Sequence, residues 1–169
     1  MPPTLGGKGS FLNCMEGFPY TKHAPLLGEY LLITMGYHLG GLINHFFHAR
    51  KTDFVEMGLH HIVAIYLFGG CYLCNVWECG SVIAFLHDVA DITTNIMKMF
   101  AESRFGTATA IGFSIHMVIW FFTRNILLPW MIYCLLFVFV DVNFHEEYLI
   151  RPFFCYLLGC MFMLHCFWF

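Results

Sequence analysis

Charged residues are scarce in this sequence. Asp, Glu, Lys and Arg together make up 11% of its 169 residues, whereas soluble domains average about 25%. The eight Lys and Arg residues are scattered and the net charge is −3, so the chain offers no basic surface for nucleic acid. Hydrophobic residues reach 59% and the mean hydropathy is +0.70. This composition excludes an ordinary soluble domain and predicts an all-α integral membrane protein.

The apolar runs each have nearly the length of one membrane crossing, which is about 20 residues. They predict about six transmembrane helices, at residues 29–47, 59–76, 81–100, 107–122, 125–140 and 148–169. Arg124 and Pro129 are expected to mark the start of the fifth helix. Residues 1–28 are rich in Gly and Pro and predict an extramembrane or interfacial N-terminal segment. Residues 29–169 then form the transmembrane domain.

Only residues 77–80 separate the second and third spans. Such a short connection predicts that the two helices are antiparallel neighbours. At a rise of about 1.5 Å per residue, the pair His60–His61 is expected about 11 Å from Asp88 along straight helices. Asn95 and Lys98 lie on the intervening turns. We therefore expect a polar stripe that runs from the middle of the membrane toward the histidine pair.

Ionisable side chains interrupt both of these spans. His60 and His61 open the second span, and His87, Asp88 and Asp91 lie within the third. A carboxylate at the centre of a membrane helix costs about 2.5 to 3.5 kcal/mol, whereas one Leu or Phe returns only about 0.3 to 0.6 kcal/mol. The three residues of the third span are therefore predicted to face protein rather than lipid, in the functional site. Structural alternatives are that the histidine pair caps a helix near the interface and that His87 and Asp88 hold two helices together.

The order of these motifs resembles a known family. The stretch from Arg50 to Met57 is followed two residues later by His60–His61, then by Leu86-His87-Asp88, Asp91 and Lys98. This combination resembles the signature of TLC-domain membrane proteins, in particular the ceramide synthase branch. Residues 122–124, 127–129 and 164–168 resemble the C-terminal half of the same family. The resemblance implies a TLC-like ring of transmembrane helices. Members of that family normally carry one or more further helices before the first span seen here.

The resemblance also implies an activity, which is N-acyl transfer from acyl-CoA to the amine of a sphingoid base. It assigns catalytic roles to His60 and His61 and supporting polar roles to His87, Asp88 and Asp91. From the residues themselves we expect substrate contacts at Arg50, Lys51, Asn95 and Lys98. A neutral imidazole suits this reaction, since it can accept the amine proton or carry the acyl group. No metal or cofactor is expected, and acyl-CoA is the co-substrate. The family resemblance implies the endoplasmic reticulum, with a mitochondrial or other membrane as the alternative.

Two other functions remain open from the sequence. The first is a non-catalytic, lipid-binding or structural subunit of a larger membrane complex, favoured by the short N-terminus and by Asn95 at a position where the family carries an acidic residue. The second is a histidine-ligated di-iron lipid hydroxylase or desaturase, suggested by ten histidines and by the pair His45 and His48. That chemistry needs several histidine boxes in a fixed geometry. The sequence carries no H-x-x-H-H box, which disfavours the hydroxylase.

Overall fold

The computed structural model describes residues 9, 11–15, 17–48, 52–101, 106–139 and 149–169. These residues form α1 (Pro25–Phe47), α2 (Phe54–Leu73), α3 (Trp77–Ala101), α4 (Gly106–Trp120), α5 (Leu128–Tyr133) and α6 (Ile150–Trp168), together with a short 3-10 helix, Phe11–Asn13. Two π-helical segments, Phe121–Leu127 and Cys134–Val138, join and extend α4 and α5. The result is one continuous helix, Gly106–Val138, here called the long helix. The described ranges contain no strand, so the all-α prediction is confirmed.

Four helices have the length and the apolar composition of a membrane span. They are Leu26–Phe47, Phe54–Leu73, Gly106–Val138 and Ile150–Trp168. α3 has 25 residues but carries four charged side chains, so its composition sets it apart from the other four. The expected count of about six spans is therefore not confirmed by the described residues. Large apolar side chains such as Ile33, Tyr66 and Val118 are exposed on the outer surface, as contact with lipid requires.

The expected boundary between the fourth and fifth spans is wrong, because the long helix continues through it. Proline and arginine together suggested a helix start, yet Arg124 is only 1% exposed. Pro129 lacks the N–H of a regular turn, and its ring crowds the preceding turn of an α-helix. The π-helical segment directly before α5 has more residues in each turn than an α-helix. Within it, the Thr123 hydroxyl donates a hydrogen bond to the Ile119 carbonyl at 2.8 Å. A wider helix thus accommodates the proline without ending.

α2 and α3 form the predicted antiparallel hairpin, but their connection is residues 74–76 rather than 77–80. Asn75 makes the turn at φ 58°. Gly80 lies inside α3, where a Cβ would stand 2.7 Å from the Cβ of Cys71. The earlier turn changes the level of α3 relative to α2, and the rings of His60 and His87 lie 6.5 Å apart. The offset of about 11 Å was expected between the histidine pair and Asp88, and for those residues it stays a prediction.

The contacts between helices form a closed circuit. α1 packs on α2, α2 on α6, α6 on α5 and the first π-helical segment, the long helix on α3, and α3 back on α1. The fully buried side chains inside this circuit include Leu31, Phe68, Leu158, Met161 and His165. All five long helices therefore present side chains to one interior.

The N-terminal segment packs against this bundle. α1 begins at Pro25, four residues before the expected start, since proline is favoured in the first turn of a helix. Before it, Phe11, Met15 and Phe18 are buried in the core, and the Phe11 ring lies 5.4 Å from that of Trp130. The described part of residues 11–24 thus covers one end of the long helix.

Candidate functional site

The two consecutive histidines of α2 point to different neighbours, since successive residues of a helix are about 100° apart. His60 is buried, and its ring centroid lies 6.0 Å from that of His165 on α6. His61 is only partly buried and faces α1, where its Nδ1 lies 3.3 Å from His38 Nδ1. The two imidazole rings are 5.6 Å apart. His60 therefore belongs to the interior, and His61 to the contact between α1 and α2.

His38 is a third histidine of this site, which the sequence analysis did not single out. It is 3% exposed and stacks on Phe68 with 5.5 Å between ring centroids. Its ring lies 5.6 Å from those of both His60 and His61. α1 thereby supplies a polar side chain to a group that was expected from α2 and α3 alone.

Both predicted carboxylates of α3 have protein partners. Asp88 accepts a hydrogen bond from the Tyr30 hydroxyl of α1, and Asp91 forms an ion pair with Arg124 at 3.0 Å. His87 is 3% exposed and donates its Nδ1 proton to the Ile83 carbonyl at 2.8 Å. The prediction that these residues face protein is confirmed. They do not share one direction, however, because Asp88 faces α1 and Asp91 faces the long helix.

Arg124 connects three elements of the site. Its guanidinium donates to His165 Nε2 at 2.8 Å, to Asp91 Oδ1 at 3.0 Å and to the His87 carbonyl at 3.2 Å. It also lies over the ring of Trp120, 5.2 Å from the centroid. Since Arg124 must donate, the Nε2 of His165 carries a lone pair and its Nδ1 carries the proton. A residue expected at a helix start is thus the centre of the buried polar network.

A cavity of about 370 Å³ opens onto this network. Five of the predicted site residues line it, namely His60, His61, Asp91, Asn95 and Lys98. His87 and Asp88 are not among its lining residues, and Arg50 and Lys51 lie outside the described residues. The lining also includes side chains that the sequence analysis did not predict, namely His38, Arg124, His165, Trp120 and Trp168.

A second, larger cavity of about 780 Å³ adjoins the first. The two share five lining residues: Tyr37, Asp53, Met57, His61 and Lys98. We call the cavity of about 370 Å³ the inner cavity and the cavity of about 780 Å³ the outer cavity. His61 and Lys98 therefore lie where the two cavities meet. A reactant that entered from the outer cavity would meet these two side chains before it reached Asp91 and Arg124.

Three other histidines make contacts that stabilise the structure. His45 donates to the Phe54 carbonyl at 2.8 Å and stacks on that ring, and His48 donates to the Asn44 carbonyl of its own helix at 3.0 Å. His116 bonds to the Thr93 hydroxyl at 2.9 Å. In the part of the chain that the structure describes, no group of three or more His, Cys, Asp or Glu side chains is arranged to hold a metal ion. The described histidines therefore offer no ligand set for a di-iron centre.

Comparisons with a family model and with individual known proteins indicate the same family. The family described as TLC domain matches residues 8–169. Ceramide synthase 4 of Bos taurus is 30% identical over 162 residues, which cover 93% of this chain and 40% of the relative. Ceramide synthase 4 of Homo sapiens is 30% identical over 161 residues, with coverage of 92% and 39%, and ceramide synthase 3 of Homo sapiens is 28% identical over 159 residues, with coverage of 90% and 40%. The chain thus spans about two fifths of the length of these relatives. No solved structure matches it.

Proposed function

The chain belongs to the TLC domain family, and from this membership we propose that it is a ceramide synthase-like N-acyltransferase. The proposed reaction transfers a fatty acyl group from acyl-CoA to the amine of a sphingoid base. The chain is an integral membrane protein, as its family and its apolar helices require. Both proposed reactants and the amide product carry long hydrocarbon chains, so a site within a bundle that contacts lipid suits this reaction.

One observation carries the proposal. His61, partly exposed, stands at the junction of two adjoining cavities, and the ion pair of Asp91 and Arg124 lies at the inner one. An imidazole beside a cavity is the side chain whose protonation suits transfer of an amine proton near neutral pH. His60 lines the same inner cavity from a more buried position.

The chemistry can follow either of two routes at this imidazole. In the first, the sphingoid ammonium gives one proton to water, and the free amine forms a C–N bond with the thioester carbon while His61 accepts the second proton of the nitrogen. The C–S bond then breaks, and His61 passes that proton to the departing thiolate of coenzyme A. In the second, the imidazole attacks the thioester first and releases the thiolate, and the amine then displaces the imidazole from the acyl-histidine. The same residue serves both routes.

The charged groups of the inner cavity have complementary roles in this proposal. Asp91 is 38% exposed, so its carboxylate can hold the cationic amine of the acceptor while it remains paired with Arg124. Asn95 and Lys98 lie one and two turns further along the same face of α3. Lys98 lines both cavities and is proposed to contact a phosphate of acyl-CoA, a role also proposed for Arg50 and Lys51.

The test is an N-acylation assay with the purified chain in detergent, a long-chain acyl-CoA and sphinganine, with the amide product measured by mass spectrometry. We expect product from the wild-type chain, and a loss of about 10²-fold or more in His61→Ala and His60→Ala. His116→Ala removes a histidine outside the cavity and serves as the matched control, which we expect to stay close to the wild-type rate. A wild-type chain that makes no product, or a His61→Ala variant as active as the control, would contradict the proposal.

The compartment proposed for this activity is the endoplasmic reticulum, with a mitochondrial or other membrane as the alternative. The proposed partners of the chain are membrane lipids. Other membrane protein subunits would be its partners under the alternative function, that of a non-catalytic subunit of a larger complex. A fluorescently tagged chain that colocalises with a marker of the endoplasmic reticulum would support this assignment, and one that follows a mitochondrial marker would contradict it.

A further inference from the structure

The position of the His61 ring depends on α1. Its Nδ1 lies 3.3 Å from His38 Nδ1, and the buried His38 ring is itself held by stacking on Phe68. Two neutral imidazole nitrogens can share a hydrogen bond only if one donates and the other accepts. The bond therefore couples the tautomers of the two rings, because the Nδ1 of one ring carries a proton and the Nδ1 of the other carries a lone pair.

The Cε1 edge of the His61 ring meets the backbone of α1 at Gly41. A Cβ on Gly41 would lie 2.6 Å from His61 Cε1, 3.1 Å from Nδ1 and 3.2 Å from Nε2. Side-chain carbons do not approach this closely, so any larger residue at position 41 would displace the ring. Gly40 precedes it in the same helix, yet a Cβ there would meet nothing within 4 Å. The requirement for glycine thus arises from the imidazole and not from the helix.

We propose that His38 and Gly41 are positioning residues for His61. His61 donates its Nδ1 proton to His38 Nδ1 and keeps the lone pair on Nε2, and the bare backbone at Gly41 leaves the ring room to hold this orientation. In the opposite tautomer Nε2 would carry the proton and could accept neither a proton nor an acyl group. The catalytic meaning of this arrangement rests on the proposed function, whereas the orientation of the ring does not.

The rate of chemical modification reports whether the lone pair on His61 Nε2 is available, and it needs no substrate. Diethyl pyrocarbonate reacts with neutral imidazole, and peptide mass spectrometry can follow its rate at His61 relative to the exposed His48 in the purified full chain. His38→Phe keeps an aromatic ring against Phe68 but removes the acceptor. We expect His61 to react about fivefold more slowly in this variant, the factor that corresponds to one hydrogen bond of ordinary strength. His38→Asn, whose amide oxygen can replace the accepting nitrogen, should restore most of the rate.

Gly41→Ala and Gly40→Ala form a matched pair, because both add one methyl group to the same stretch of α1. Gly41→Ala should slow the modification of His61 as much as His38→Phe does, and Gly40→Ala should leave it unchanged. Size-exclusion chromatography and circular dichroism identify variants that remain folded. Wild-type rates in both His38→Phe and Gly41→Ala would overturn the proposal, and so would equal losses in the two glycine variants.

The acylation assay on the same samples separates this proposal from the proposed function. If the wild-type chain makes no amide while His61 reactivity depends on His38 and Gly41, the positioning role stands and the enzymatic function is wrong. If the wild-type chain is active, His38→Phe should lower kcat and leave KM for acyl-CoA unchanged, since the substitution alters the reacting nitrogen. An active His38→Phe variant with wild-type kcat and wild-type His61 reactivity would overturn the positioning role alone.

Discussion

Replacing Arg124 by methionine should destabilise the protein more than any other single substitution in the polar network. Arg124 is 1% exposed, and methionine keeps a long unbranched stem in its place. The substitution removes the donor of three hydrogen bonds, to His165 Nε2, Asp91 Oδ1 and the His87 carbonyl. Each of these acceptors would then lack its partner in the interior.

The expected magnitude follows from the exposure of these groups. Removing one partner of a buried ion pair costs about 3 to 5 kcal/mol. The side chain of Asp91 is 38% exposed, so water can reach its carboxylate and the lower end of that range applies. We therefore expect the free energy of unfolding to fall by about 3 kcal/mol in Arg124→Met. Arg124→Lys keeps the charge but cannot make all three bonds, and should lose about 1 to 3 kcal/mol.

Unfolding of the purified chain in mixed micelles with increasing dodecyl sulfate, followed by tryptophan fluorescence, gives the required free energies. The double variant with Asp91→Leu and Arg124→Met should be more stable than Arg124→Met alone, because it leaves no unpaired carboxylate. A change below about 0.5 kcal/mol in Arg124→Met, as is usual for surface positions, would refute the reasoning. A double variant no more stable than the single one would show that the ion pair is not the source of the loss.

Substitutions at two further positions test contacts of α1 and of the hairpin turn by the same unfolding measurement. Tyr30→Phe removes the hydroxyl that donates to Asp88 and should cost about 1 to 3 kcal/mol, whereas an unchanged stability would mean that water satisfies this carboxylate. Asn75 adopts φ 58° and donates to the Pro19 carbonyl at 2.7 Å. Asn75→Ala and Asn75→Gly both lose that bond, but only alanine disfavours the left-handed conformation, so the alanine variant should be less stable by about 1 kcal/mol. The reverse order of the two variants would contradict this account.

The cost of charge in a membrane was enough to predict which residues of α3 face protein, but not their partners. Asp88 and Asp91 both have partners, as that cost required. The partners are Tyr30 and Arg124, 58 and 33 residues away in sequence. A transfer free energy indicates that a partner must exist, whereas only the packing of helices determines which side chain supplies it. The sequence therefore shows that Arg124 carries a charge, but it does not show which residues Arg124 contacts.

His38 carried a readable signal that the sequence analysis did not use. Tyr30, Thr34 and His38 recur at intervals of four residues, and such residues share one face of a helix. In the structure Tyr30 bonds to Asp88 and Thr34 is buried, and His38 bonds to His61. A polar face on an apolar helix predicts a protein partner for the same reason that the aspartates did. The criterion had been applied to the second and third spans alone, although the polar residues of the first span obey it too.

The polar network joins helices as well as lining a cavity, and this determines which substitution can separate chemistry from folding. Arg124 ties the long helix to α3 and α6, and its loss is expected to weaken the bundle and the site together. His60 is buried among several rings, so its truncation would leave a cavity in the interior. His61 is partly exposed and makes one hydrogen bond to another described residue, His38. His61→Ala removes that one bond and should lower the free energy of unfolding by only about 1 kcal/mol, against about 3 kcal/mol for Arg124→Met. A loss of N-acylation in this variant would therefore report on the reacting imidazole rather than on the stability of the bundle.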